Sequence, residues 1–259
     1  MDSKSSIGVF DSGLGGITVL HTIHKLLPHE DLIYLGDSKN NPYGTKTKEE
    51  ITKRCIAICD EFQRRNVKAI VIACNTATSA CVDLLRKKYD VDIVGVEPAL
   101  KVACDMGQHQ KIAVWATNLT LAEKKFARLM NRFKEDHEIV KVPCPKLVRI
   151  VEEEKLDDPK LVESTLHEYL NESDFLNLDS IVLGCTHFPF YKDTLVKMCP
   201  GIHVVDGSIG TTMRLKYLME KQNLLNGSNH EGKITWLNTD KTKIELSKRL
   251  LERLEKNDE

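Results

Sequence analysis

Two cysteines occupy matching positions in two distant parts of the chain. In residues 71–76, and again in residues 182–187, an apolar run is followed by a small residue, a cysteine and then polar residues. Because those polar residues suit the start of a helix, Cys74 and Cys185 are each predicted to lie between a buried strand and a helix. The positive end of a helix dipole favours a thiolate. Two such thiols suggest chemistry performed from two sides of one substrate.

The reaction that calls for two opposed thiols removes a proton from a chiral carbon and returns one on the other face. One cysteine must be a thiolate and the other a thiol, and each needs a pKa of about 7, against about 8.5 for an unperturbed thiol. Asp11, at the end of the first predicted strand, and His187, beside Cys185, are the candidates for managing these protons. A cysteine protease fits less well, because it uses one nucleophile and leaves the second thiol unexplained.

Further polar segments accompany the two cysteines. Residues 11–16 form a glycine-rich turn after a strand, where free N–H groups at a helix start can bind an anion. Residues 41–44 form a Pro-Tyr-Gly turn, in which a tyrosine hydroxyl and a glycine N–H could hold a carboxylate. Asn75 and Thr76 are good helix-capping residues. Each of these patterns also has a purely structural interpretation, as a tight turn or a helix cap.

Short apolar runs alternate with longer amphipathic stretches along nearly the whole chain, which predicts parallel sheets covered by helices on both faces. The predicted strands are 7–10, 32–35, 69–73, 93–96, 111–115, 138–142, 180–184, 202–205 and 234–237. The predicted helices are 16–27, 47–65, 76–88, 98–106, 119–134, 146–153, 159–171, 189–198, 210–222 and 240–255.

Ligands of open α/β sheets bind beyond the carboxyl ends of the strands, and both cysteines fall at such ends. We therefore predict an α/β fold of two pseudo-symmetric lobes, each a mainly parallel sheet flanked by helices. The first lobe is predicted to contain residues 1–97 and 210–259, and the second residues 98–209. The active site is expected in the cleft between the lobes.

The composition excludes several classes of protein. The 259 residues include 41% apolar and 29% charged residues, and the net charge is −1, so no strong field would attract nucleic acid or an anionic membrane. The apolar segments fall short of the ~20 residues that span a bilayer, and no signal peptide is evident. We predict a cytoplasmic protein whose eight cysteines are thiols. No Cys or His spacing typical of a zinc site occurs.

Five segments together resemble the bacterial glutamate racemases, of the cofactor-independent Asp/Glu racemase family. These segments are residues 10–16, 36–38, 42–44, 73–77 and 183–189. The resemblance implies two α/β lobes with the active site between them, no pyridoxal phosphate, no metal, and a homodimer. The implied isomerase reaction interconverts L- and D-glutamate, and so supplies a D-amino acid for peptidoglycan, cell wall biogenesis and cell shape.

The resemblance also implies roles for single residues. Cys74 and Cys185 would be the catalytic acid/bases, assisted by Asp11 and His187. The implied substrate-binding residues are Asp11, Ser12, Pro42, Tyr43, Gly44, Asn75, Thr76, Thr117, Thr120, Glu152, Thr186 and His187. Arg149 stands where the family usually has proline. Since these motifs contain no arginine, the substrate carboxylates are expected to be held by backbone N–H groups and hydroxyls.

Three alternatives remain open at this point. An aspartate racemase would share the lobes and the paired cysteines, although the residues flanking both cysteines favour glutamate. A non-catalytic amino-acid-binding protein could use the same scaffold. A redox role for Cys74 and Cys185 would require their Cα atoms to lie within about 7 Å of each other.

Overall fold

The parallel strands of the chain form two separate sheets in the computed structural model, which describes residues 2–258. The first sheet has five strands and belongs to a unit formed by Met1–Val96 and Ser208–Glu259. The second sheet has four strands and belongs to a unit formed by Glu97–Gly207. The predicted fold class, two α/β lobes with parallel sheets and flanking helices, is confirmed.

The strands of the first unit follow the order β4, β3, β1, β2 and β9, and every neighbouring pair is parallel. The strands are β1 (Ile7–Asp11), β2 (Leu32–Gly36), β3 (Ala69–Ile72), β4 (Asp92–Gly95) and β9 (Ile234–Asn238). The helices are α1 (Ile17–Leu26), α2 (Lys48–Arg64), α3 (Asn75–Lys88), α10 (Ser208–Lys221) and α11 (Ile244–Asn257).

The three central strands of this sheet position the first candidate site. Every residue of β1, β2 and β3 is buried, as expected for parallel strands covered on both faces. In the register of the sheet, Asp11 is opposite Gly36, and Phe10 is opposite Ile72. The segments that follow these strands therefore leave the sheet side by side at its carboxyl edge.

The second unit repeats this plan with the strand order β6, β5, β7 and β8, again all parallel. The strands are β5 (Lys111–Ala116), β6 (Glu138–Pro143), β7 (Ser180–Leu183) and β8 (His203–Asp206). The helices are α4 (Leu100–Cys104), α5 (Asn118–Ala122), α6 (Lys124–Asn131), α7 (Pro145–Glu152), α8 (Pro159–Glu172) and α9 (Lys192–Met198). Trp115 is opposite Leu183, so β5 and β7 end at the same edge.

The predicted strands all occur, each displaced by a residue or less at either end. The predicted helix 119–134 is wrong in one respect, because it is divided into α5 and α6 at Glu123, whose backbone is extended (φ −69°, ψ 140°). The predicted helix 98–106 is shorter, at Leu100–Cys104. The predicted helices 189–198 and 240–255 begin with 3₁₀ turns.

A buried ion pair lies at the opposite, amino edge of the first sheet. The Lys68 ammonium lies 2.5 Å from the Glu30 carboxylate, and the two side chains are 0% and 3% exposed. Lys68 also donates to the carbonyl of Ser3. The other carboxylate oxygen of Glu30 accepts from the backbone N–H of Asn226 at 2.8 Å. The pair therefore connects the start of the chain, the segments before β2 and β3, and the segment after α10.

Within residues 2–258, no helix combines the length and the apolar character needed to cross a membrane.

Candidate active site

Cys74 lies between β3 and α3, with its side chain buried. Its sulfur accepts the backbone N–H of Ala77 at 3.4 Å and so caps the first turn of α3. The thiol is 3.7 Å from the Ser12 hydroxyl, to which it donates. A sulfur that accepts an N–H at the start of a 14-residue helix is placed where a thiolate is stabilised.

Asp11 ends β1 and is completely buried. One oxygen of its carboxylate accepts the Gly13 N–H at 2.8 Å, and the Tyr34 hydroxyl donates to the Gly13 carbonyl at 2.8 Å. A Cβ added at Gly16 would lie 2.5 Å from the Cβ of Asp11, so this close approach of α1 to the strand end requires glycine. The glycine-rich turn therefore holds a carboxylate beside the segment that carries Cys74.

Asn75 is the clearest sign of a ligand in the first unit. Its side chain is 5% exposed, and its amide nitrogen is buried without a hydrogen-bond partner among residues 2–258. A buried donor left without a partner costs about 1–3 kcal/mol. Because Asn75 opens α3, next to Cys74, its amide is suited to donate to an anion bound at the helix start. The neighbouring Thr76 is also buried.

The predicted use of the Tyr43 hydroxyl as a donor to a carboxylate ligand is not what the geometry shows. The hydroxyl donates instead to the Asp37 carboxylate at 2.7 Å. Burial is the largest of the effects that raise the pKa of Tyr43 far above its ordinary value, so the hydroxyl keeps its proton. Pro42 and Gly44 flank this buried tyrosine and are themselves exposed and half-buried, respectively.

Cys185 begins a row of three hydrogen-bonding side chains in the second unit. Its sulfur is 3.7 Å from Nδ1 of His187, and Nε2 of His187 is 2.7 Å from the Glu152 carboxylate. Burial by itself lowers the pKa of the His187 imidazole, but contacts with Cys185 and Glu152 together raise it well above its ordinary value. His187 is therefore placed to carry a proton beside the sulfur, while Glu152 fixes the orientation of its ring.

The surroundings of Cys185 correct one expectation from the sequence. Cys185 is not followed by an α-helix: a turn leads into the 3₁₀ helix Phe188–Tyr191. The helix-dipole argument therefore applies to Cys74, whereas the charged partner of Cys185 is His187. The Tyr191 hydroxyl donates to the Leu147 carbonyl at 2.6 Å, which fixes α7, the helix that carries Glu152, against this turn.

The remaining predicted residues of the second unit also lie near strand ends. Thr117 follows β5 and caps α5 by accepting the Thr120 N–H at 3.2 Å, and its hydroxyl donates to the Thr120 hydroxyl at 3.0 Å. Thr186 is buried between Cys185 and His187. Arg149 is exposed in α7, which is unbroken.

The structure thus gathers the predicted residues into two groups, one at the carboxyl edge of each sheet. The first group is Asp11, Ser12, Pro42, Tyr43, Gly44, Cys74, Asn75 and Thr76. The second group is Thr117, Thr120, Glu152, Cys185, Thr186 and His187. All eight cysteines are free, buried thiols. Among the His, Cys, Asp and Glu side chains of residues 2–258, no group of three or more is arranged to hold a metal ion.

Sequence reasoning missed the part played by Asp37 and Arg54. Asp37 lies in the segment 36–38, which by itself indicates no function for it, and Arg54 lies in none of the motifs. Arg54 forms two hydrogen bonds with Asp37, at 2.9 and 2.8 Å. The helical spacing could have indicated this role. Arg54 lies three residues after Ile51 and four before Ile58, both in the core, so it is predicted on the same buried face of α2.

Comparison with known proteins identifies the family. The family model for Asp/Glu/Hydantoin racemases matches residues 7–209. The chain belongs to this family. It is 49% identical to the glutamate racemase of Bifidobacterium animalis subsp. lactis over 258 residues, which cover 98% of this chain and 100% of the relative.

Two solved structures of the racemase family extend the comparison. Escherichia coli glutamate racemase, in complex with L-glutamate and the activator UDP-MurNAc-Ala, has a TM-score of 0.83 and 29% identity, covering 96% of this chain and 95% of that one. Francisella tularensis glutamate racemase, in complex with D-glutamate, has a TM-score of 0.81 and 28% identity, covering 96% and 94%. The family and the fold of the chain are therefore those of racemase enzymes.

The row from Glu152 to Cys185 leads to a testable expectation. Glu152→Gln removes the anion beside His187 and should lower the pKa of the imidazole, which an NMR titration of the His187 ring would measure. Racemisation should slow by about 10-fold to 100-fold, less than the loss of a proton-transferring group itself, because Glu152 acts through His187. Glu153→Gln, at an exposed position one residue later, is the matched control.

The same variant should change how stability depends on pH. Because the pKa of His187 is raised in the folded chain, its contribution to stability is complete below the unfolded value of about 6.5 and is lost as the pH rises through the folded value. The difference in unfolding midpoint between the wild-type chain and Glu152→Gln should therefore be largest near about pH 6 and shrink as the pH rises. A difference independent of pH would contradict the assigned ion pair.

Proposed function

We propose that the chain interconverts L- and D-glutamate, with Cys74 and Cys185 serving opposite faces of the α-carbon. One observation carries the proposal: each thiol has its own means of holding or moving a proton. Cys74 has the first turn of α3 and the Ser12 hydroxyl, and Cys185 has the row through His187 to Glu152. A non-catalytic binding protein has no need of two such arrangements.

The reaction proceeds by removal and return of a proton. A thiolate on one side takes the α-proton, and the thiol on the other side gives its proton to the opposite face of the same carbon. The first cysteine is then a thiol and the second a thiolate, so the roles are exchanged. When Cys74 is the thiolate, the N–H groups at the start of α3 stabilise its charge. When Cys185 is the thiolate, the His187 imidazolium does so.

Substrate binding uses the polar groups around the two thiols. The unpartnered amide of Asn75 donates to a substrate carboxylate, supported by the N–H groups at the start of α3. Such neutral donors also stabilise the negative charge that develops on the substrate as the α-proton leaves. Asp11, buried beside this segment, is the candidate partner for the substrate ammonium group.

Glutamate is favoured over aspartate by the relatives as well as by the motifs. The relative from Bifidobacterium and both solved structures are glutamate racemases, and the two structures hold opposite enantiomers of glutamate. From the family resemblance we further infer a cytoplasmic homodimer that works without pyridoxal phosphate or metal. Its product would supply D-glutamate for peptidoglycan synthesis.

Incubation with L-glutamate in D₂O tests the proposed reaction. Optical activity should decline towards zero while deuterium enters at the α-carbon, because the thiol that returns the proton has exchanged with solvent. L-aspartate in a parallel incubation should react far more slowly. Racemisation without deuterium uptake would rule out solvent-exchanging thiols, and faster turnover of aspartate would identify the alternative substrate.

A further inference from the structure

The carboxylate of Asp37 connects several segments around the first candidate site. Asp37 directly follows β2 and is completely buried. Its backbone N–H donates to the Asp11 carbonyl at 2.9 Å, which connects it to the end of β1. Its side-chain oxygens accept from the Asn40 amide at 2.9 Å and from the Tyr43 hydroxyl at 2.7 Å. Asp37 therefore holds the turn at residues 42–44 against the strand ends.

Arg54 supplies the positive charge that this carboxylate requires. Its Nε and Nη2 atoms donate to the two oxygens of Asp37 at 2.9 and 2.8 Å, a bidentate arrangement. The helix that carries Arg54 is itself fixed at its start by a capping box between Thr47 and Glu50. Arg54 thus reaches Asp37 from a capped helix that begins shortly after the turn at residues 42–44.

The carboxylate stays ionised because of these donors. Burial by itself would raise the pKa of Asp37, but hydrogen bonds from Arg54, Tyr43 and Asn40 bring it below its ordinary value. Removing one partner of a buried ion pair leaves the other charge uncompensated. Without Arg54, Asp37 would therefore have to move or bind a proton, and Tyr43 would lose a fixed acceptor.

We propose that Arg54 is a positioning residue for substrate binding, which acts through Asp37 and Tyr43 on the turn at residues 42–44. This inference rests on the proposed function, together with the substrate-binding role that the family resemblance implies for Pro42, Tyr43 and Gly44. Arg54 does not contact the substrate in this account. Its effect should therefore depend on Asp37 and Tyr43 and appear mainly in the KM for glutamate.

The kinetics of Arg54→Met, Tyr43→Phe and the double variant test whether Arg54 acts on substrate binding through Tyr43. Arg54→Met should raise KM about 10-fold or more with a smaller change in kcat, since small misplacements of a binding group can cost up to about 100-fold. Arg54→Lys should recover only part of the loss, because lysine cannot form the bidentate pair. Arg64→Met, at an exposed position of the same helix, should behave as wild type.

In the double variant, the losses should be far from additive, because residues that act through one another are energetically coupled. Fully additive losses, or an unchanged KM in Arg54→Met, would overturn the proposal. A loss of activity that only follows the loss of folded protein, measured by circular dichroism, would also overturn it and leave Arg54 a purely structural residue.

A second measurement needs no glutamate. Relative to the wild-type chain, the unfolding midpoint of Arg54→Met should fall more at about pH 7.5 than at about pH 4, because protonation of the stranded Asp37 relieves the penalty at low pH. The double variant with Asp37→Asn should lack this dependence. An equal deficit at both pH values would refute the coupling of Arg54 to Asp37. A wild-type chain that fails to racemise glutamate would instead refute the proposed function, whatever this measurement shows.

Discussion

Replacement of either Cys74 or Cys185 by serine is expected to slow the racemisation of glutamate by about 100-fold to 10,000-fold, the contribution of a general acid–base group. The physical reason is that a serine hydroxyl keeps the size and hydrogen bonding of the thiol but is a much weaker acid. It can neither exist as the base that takes the α-proton nor readily give a proton to the carbanion. Chiral chromatography of the products would measure the rate.

The two serine variants should differ in a second, more specific respect. Each retains one functional thiol, so each should still exchange the α-proton of one enantiomer with D₂O without inverting it. Cys74→Ser and Cys185→Ser should therefore favour opposite enantiomers in this exchange. Cys199→Ser, a buried thiol that follows α9, is the control and should keep the wild-type turnover. Normal turnover in both site variants would show that the two-thiol mechanism is wrong.

Lys68→Met is expected to destabilise the fold by about 3–5 kcal/mol, the cost of breaking a buried ion pair by removing one partner. The Glu30 carboxylate would remain 3% exposed with no cation beside it, and the carbonyl of Ser3 would lose a donor. Urea unfolding followed by circular dichroism would show the loss as a lower midpoint.

Two further variants test whether the lost stability comes from the unpaired, buried charge of Glu30. The double variant Lys68→Met with Glu30→Gln should recover much of the stability, because a neutral amide still offers an oxygen to the Asn226 N–H. Lys25→Met removes an ion pair with Asp258 at the surface, where both partners are more than a third exposed, and should cost about 1 kcal/mol or less. An unchanged midpoint in Lys68→Met would contradict the account of the buried pair.

The sheets could be predicted because their signal is local. Strands β1 and β3 are buried, mainly apolar runs that contain β-branched residues, and polar residues follow each within three positions. A parallel sheet needs such runs. The break at Glu123 could not be predicted in this way, since the segment contains neither proline nor glycine to interrupt a helical pattern. Helix ends that lack such residues are decided by the packing of the rest of the chain.

The motifs and the family resemblance predicted residues for the candidate site, but they could not predict the hydrogen bonds among them. The motifs placed Tyr43, Glu152 and His187 in the site, yet the partner of Tyr43 is Asp37, and Glu152 meets His187 across 35 positions of sequence. A sequence pattern gives residue types and spacing along one element. Which side chains meet across elements depends on strand register and helix orientation, which only the folded structure supplies.

In the proposed two-thiol mechanism, the unequal surroundings of the two thiols have a kinetic consequence. Cys74 is supported by a helix start that does not titrate, whereas Cys185 depends on a histidine that does. L- and D-glutamate have equal free energies in water, so a racemase must have the same kcat/KM in both directions at every pH. Any asymmetry between the thiols can then appear only as a difference in kcat matched by an equal difference in KM. The kcat for L-glutamate and the kcat for D-glutamate should therefore reach half of their maximal values at different pH. The ratio of the two kcat/KM values should stay at unity at every pH.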